Sequence, residues 1–68
     1  MTIKNNLKIV RKNKKLTQRE VARRANLSLM GYIKIERGES IPNLSNAFRI
    51  AKAIGERLEK LFICKDKK

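Results

Sequence analysis

Apolar residues recur at helical spacing along almost the whole chain. Ile3, Leu7 and Val10 fall at i, i+4 and i+7 and predict a first helix. Lys4, Lys8, Arg11 and Lys12 occupy its other sides, and it should end near Asn13-Lys14-Lys15, where basic groups suit a helix C-terminus. Thr17-Gln18-Arg19-Glu20 then reads as a capping box: the Thr17 hydroxyl accepts from the amide of Glu20, whose carboxylate reaches back to the amide of Thr17. Leu16 is placed to staple onto Val21, and Val21, Ala22 and Ala25 form the apolar face of this second helix. Asn26, tolerant of the left-handed conformation, should end it. Ser28 is a good cap for a third helix with Tyr32, Ile35 and Glu36 facing inward, and Gly38 should stop it. Beyond the turn at Ile41-Pro42-Asn43, Asn43 caps a fourth helix that carries Leu44, Ala47, Phe48, Ala51 and Ile54 in register and ends at Gly55. A last short helix, about Arg57 to Ile63, offers Leu58, Leu61 and Phe62. No stretch shows the sustained alternation of a strand. The expectation is an all-α fold of five short helices, one domain over residues 1–68, with Phe48 and Phe62 in the core and a frayed tail from 64 to 68.

The span from Gln18 to Arg37 carries the most information. Two short helices that cross steeply over a tight turn need a small residue at the crossing, a residue at ease with positive φ in the turn, and apolar groups locking both sides. Ala22, Asn26 and the set Val21, Leu27, Tyr32 and Ile35 meet these needs. This is a helix-turn-helix pattern over about residues 18–37, whose second helix enters the DNA major groove.

The ordered motifs Leu7 to Arg11, Leu16-Thr17-Gln18, Val21-Ala22, Leu27-Ser28, Tyr32 to Gly38, Pro42, Ile50 to Gly55 and Leu58 through Phe62 resemble the Cro/CI-type (XRE) helix-turn-helix family. The resemblance covers about residues 3–63 and implies a lambda-repressor-like domain. It implies a sequence-specific transcriptional regulator, most often a repressor, that inserts helix 28–37 into the major groove. Carried over residue by residue, it puts Leu29, Met30 and Lys34 at base edges. Gln18, Ser28, Ile33, Arg37 and Asn43 come near the sugar-phosphate backbone, with Arg19, Arg23 and Lys15 adding attraction. Arg11 and Glu36 match a structural ion pair, and the Tyr32 hydroxyl is expected near a phosphate. The family's base readers are usually polar. Leu29, Met30 and Ile33 can touch a thymine methyl, but only Lys34 can donate to guanine. The same apolar residues also fit a second reading, a protein-interaction or adaptor module.

Charge supports a nucleic-acid partner. Lys and Arg number 18 against 6 Asp and Glu, a net +12 on 68 residues, and such a field draws polyanions. Double-stranded DNA is the first partner expected, with an anionic membrane surface second. The inventory disfavours an enzyme: there is no His, no Gly-rich phosphate loop, no paired carboxylates and no metal-ligand spacing. A single cysteine, Cys64, forms no intramolecular disulfide. No metal, cofactor or small-molecule ligand is expected, and neither a secretory segment nor a membrane span is evident, so a cytoplasmic, nucleoid-associated place follows. A monomer, a weak homodimer or a dimer formed on DNA is expected. Because no separate oligomerisation segment is seen, a dimer would either use Leu58, Phe62 and Ile63 or form only on DNA.

Overall fold

Residues 2–65 are described by a computed structural model, in the order β1 (Thr2–Asn5), α1 (Leu7–Asn13), α2 (Gln18–Arg24), α3 (Leu29–Glu36), α4 (Leu44–Ile54), α5 (Leu58–Leu61) and β2 (Phe62–Lys65). The five expected helices are present, and the local signals place the starts of three of them. At α2 both arms of the capping box form: Glu20 N–H donates to Thr17 Oγ1 at 3.0 Å, and Thr17 N–H donates to Glu20 Oε1 at 2.8 Å. Ser28 Oγ accepts from Gly31 N–H at 3.0 Å to start α3, and Asn43 Oδ1 accepts from Asn46 N–H at 2.8 Å to start α4. Asn26 takes φ 59° in the turn after α2, as a left-handed stop requires. Lys15 also has a positive φ, 58°, which its sequence neighbourhood did not signal.

One core gathers the inner faces of the helices. Leu7, Val21, Ala22, Ala25, Tyr32, Ile35, Ile50, Ala51, Ala53, Ile54 and Leu61 are buried together. Ala22 and Ala25 let α2 approach both α3 and α4, and Leu27 N–H donates to Ala22 O at 2.8 Å to draw the turn tight. Each fully buried Leu or Ile contributes about 1.5–3 kcal/mol relative to exposure.

Four expectations change. Ile3 does not belong to the first helix: Thr2–Asn5 is extended and pairs antiparallel with Phe62–Lys65, Ile3 opposite Cys64 and Lys4 opposite Ile63. The last helix is one turn long, and residues 62–65 are a strand instead of its continuation. Cys64 therefore sits in that sheet, and the rest of the expected frayed tail, 66–68, lies outside the described residues. The strands are four residues each and come from opposite ends of the sequence. Neither holds enough residues for alternation to register, and each needs the other to exist.

Phe48 is the fourth change. It is 55% exposed, as is its neighbour one turn back, Leu44, at 67%. The face of α4 that is buried centres on Ala47, Ile50 and Ile54, with Ala51 and Ala53 flanking it. At 100° per residue, Leu44 and Phe48 lie at the edge of that arc and turn outward. Phe62 is half-buried and packs against the core.

Candidate nucleic-acid interface

A buried polar cluster holds α2 and α3 in register with α1. Arg11, from the last turn of α1, donates through Nε to Glu36 Oε2 at 2.8 Å and through Nη2 to Glu36 Oε1 at 3.1 Å. Its Nη1 donates to Leu16 O at 2.8 Å, so the same guanidinium also fixes the chain entering α2. Gln18 Nε2 donates to Glu36 Oε1 at 3.0 Å and the Tyr32 hydroxyl donates to Glu36 Oε2 at 2.7 Å. The Arg11 and Glu36 side chains are only 9% and 3% exposed. Burial opposes a charge on Glu36. The hydrogen bonds from Arg11, Tyr32 and Gln18, with the Arg11 charge, outweigh it and hold the carboxyl below its usual range. Burial, and then the bond to Glu36, push the Tyr32 hydroxyl well up.

This cluster is the ion pair expected of Arg11 and Glu36, extended by two members. The Tyr32 hydroxyl is not near a position a phosphate can reach. Tyr32 is 0% exposed and its hydroxyl faces the interior carboxylate. A four-residue step along α3 puts Tyr32 and Glu36 on one face, so the ring fills the core while its polar end meets the acid.

The outward side of α3 differs from a continuous apolar patch. Met30 is 61% exposed and Lys34 is exposed. Leu29 and Ile33 are half-buried, and Leu29 packs against the core. The apolar face on which the adaptor reading depends thus narrows to Met30 and the exposed edges of Leu29 and Ile33. Around it, several groups expected at the backbone already have partners. Ser28 and Asn43 cap their own helices, and Gln18 is turned to Glu36. Arg37 pairs with Glu39 at 3.1 Å, with both side chains well exposed. Arg19 is exposed at the start of α2.

Asn5 is a member of this assembly that sequence reasoning missed. Its Oδ1 accepts from Leu7 N–H at 3.0 Å and so closes the start of α1. Its Nδ2 donates to Ile35 O at 3.1 Å and to Glu36 O at 3.5 Å, binding the C-terminal carbonyls of α3. Asn at a helix start is a readable signal, but Asn6 beside it competes for the reading, and the link to α3 spans 30 residues.

Two helices joined through Ala25 to Ser28, locked by a buried acid and presenting an exposed Met30 and Lys34, define a helix-turn-helix domain. A family model described as helix-turn-helix matches residues 7–61, and the chain belongs to that family, in its Cro/CI (XRE) branch. Among curated relatives it is similar to an uncharacterised helix-turn-helix-type transcriptional regulator of Methanocaldococcus jannaschii, 41% identical over 64 residues that cover 94% of this chain and 97% of that protein. It is also similar to an immunity repressor protein of Bacillus phage phi105, 42% identical over 55 residues, 81% of this chain but 38% of the repressor.

Proposed function

We propose that the chain is a transcriptional regulator, acting as a repressor, that binds double-stranded DNA by laying α3 in the major groove. The observation that carries the reading is the α2–α3 pair, joined through Glu36 with Met30 and Lys34 on its outward side. Lys34 donates to guanine O6 and N7, and Met30, with the exposed edge of Leu29, meets thymine methyls. Ile33 lies beside the sugar-phosphate. Backbone amides at Gln18 and Arg19, which the capping box leaves over, face one phosphate, and Arg19 and Arg37 supply charge to its neighbours. The relatives' names, transcriptional regulator and immunity repressor, support the regulatory role. No helix among the described residues is long and apolar enough to cross a membrane, and the net +12 favours a place on the nucleoid.

Two copies on paired half-sites about 34 Å apart fit a small reader of this kind. Their contact would involve more than Leu58, Phe62 and Ile63. Ile41 and Leu44, both 67% exposed, border a groove of about 200 Å³ whose other walls include Ile3, Pro42, Leu58 and Phe62. Phe48 stands one turn beyond Leu44 on α4. A ridge beside a groove is self-complementary across a two-fold axis, since each copy's ridge can enter the other's groove.

Selection from a random duplex library at near-physiological salt tests the reading. An enriched palindrome, lost in Lys34→Ala, is expected. Retention without any enriched sequence would overturn it.

A further inference from the structure

At the end of α2 remote from Gln18 the surface opens into a groove of about 460 Å³ between α2 and α4. Its floor is small and apolar, Ala25 and Ala53, and its walls carry Arg24, Arg49 and Lys52 together with Asn26. Arg24 Nη1 donates to Ala53 O at 3.4 Å, which fixes that guanidinium across the floor. No carboxylate lines the groove. The ion pairs among the described residues use Arg11, Lys14, Arg37, Arg57 and Lys60, none of them from this set. Glu20, one turn before Arg24, feels its charge, but the carboxylate is held by Thr17 N–H.

Gathering three cations without a counter-charge leaves mutual repulsion that an anion would relieve. The surroundings indicate a repeating anion more than a single one. Asn26 also lines a second groove, with Arg19, Arg23 and Leu29, at the start of α3. Two grooves with basic walls therefore meet at Asn26, one beside the start of α3 and the other between α2 and α4. The small floor leaves room for a backbone to lie close, and the long side chains at its rim can reach over it.

We propose that the α2–α4 groove holds phosphodiester groups of nucleic acid beyond the half-site that α3 reads. The inference rests on the major-groove reading only for where the first duplex lies. The phosphates come either from the flank of that same duplex or from a second one, and the chemistry of capture is the same for both.

The test uses the full chain and the variant Arg49→Gln with Lys52→Gln. A control, Lys8→Gln with Lys12→Gln, makes the same charge change on exposed residues of α1. Binding is measured against salt on a duplex trimmed to the selected site and on one with long flanks. A second, labelled duplex of arbitrary sequence is offered for co-capture. If the flank is the source, the groove variant loses roughly tenfold affinity on the long duplex only, with a salt slope shallower by about two. If a second duplex is the source, wild type co-captures it and the groove variant does not. Either result supports the proposal. Behaviour identical to the control on every duplex, with no co-capture by wild type, overturns it. If selection returns no preferred site, the long duplex of arbitrary sequence still separates the groove variant from the control, so the two readings fail independently.

Discussion

Residues 17–38 and the two chain ends are held by different kinds of bond. In the first region most helix ends are closed by a group a few positions away: Thr17 with Glu20, Ser28 with Gly31, and the Leu27 amide with Ala22 O. At the chain ends, β1 pairs with β2, Asn6 N–H donates to Leu61 O at 2.8 Å, and Asn5 reaches Ile35 O. Each of these contacts closes a loop of tens of residues. Short closures cost little chain entropy and form early; long ones depend on the remainder being in place. The α2–α3 pair should accordingly open later than the terminal sheet, which reaches it through Asn5. That ordering places α3, the helix proposed to enter the major groove, on the more securely held part.

The Arg11–Glu36 cluster is the exception within the first region, since it bridges 25 residues and closes the α2–α3 pair onto α1. Breaking it should have the largest effect. Glu36→Ala leaves the Arg11 guanidinium buried without its partner and should cost about 3–5 kcal/mol in urea unfolding. An exposed acid such as Glu59, mutated the same way, should cost well under about 1 kcal/mol. The pH dependence follows from the direction of the shift. The folded Glu36 carboxyl titrates below its unfolded value of about 4.3, so its stabilisation is complete above that pH and is lost as pH falls through the folded value. The stability gap between wild type and Glu36→Gln should therefore be constant from pH 7 to about 5 and close in stronger acid. A gap that widens on acidification would contradict the assignment of a charged Glu36.

The same contrast explains what could be read from residue order alone. Caps, staples and the left-handed turn residue are local, so Thr17, Asn26, Ser28, Asn43 and Gly55 could be placed without a structure. Phe48 misled because a helical register has a width: Leu44 and Phe48 share the period of Ala47 and Ala51 yet lie beyond the edge of the buried arc. The strands were hidden because each needs a partner about 60 positions away. Within the candidate site, Arg11 and Glu36 were legible through resemblance. The Tyr32 hydroxyl was not, because whether it turns to solvent or to Glu36 depends on where α1 places Arg11. Asn5 was invisible for a similar reason: its partners are α3 carbonyls.

Asn5 is where the two regions meet, which makes it the sharper probe of the comparison. Asn5→Ala removes the acceptor for Leu7 N–H and the donor to Ile35 O, and should cost about 1–3 kcal/mol because these groups are part-buried. Asn6→Ala loses only an exposed 3.3 Å bond to Lys60 O and should cost about 0.5 kcal/mol. Native-state hydrogen exchange on Asn5→Ala should show amides of 2–5 and 62–65 opening before those of α2 and α4. Equal costs for the two asparagines, or uniform loss of protection, would mean that the ends and the centre are one cooperative unit.

The smallest expected effect tests how local the local region is. Gly31 sits in the first turn of α3, and a Cβ there would lie 2.8 Å from Ser28 Oγ, the atom that caps its own N–H. Gly31→Ala should gain about 0.5–1 kcal/mol of helix propensity and lose a similar amount as the Ser28 hydroxyl is pushed from its acceptor position. The single variant should then be nearly neutral in thermal unfolding. In a Ser28→Ala background there is no hydroxyl to displace, so the same change should stabilise by about 0.5–1 kcal/mol. The difference between the two backgrounds isolates the coupling between cap and glycine. If Gly31→Ala instead stabilises both backgrounds equally, the cap tolerates the methyl, and the glycine at this position serves the approach of something outside the chain. Contact with a nucleic-acid backbone at the start of α3 would then be its reason, and DNA affinity in Gly31→Ala would fall while stability rose.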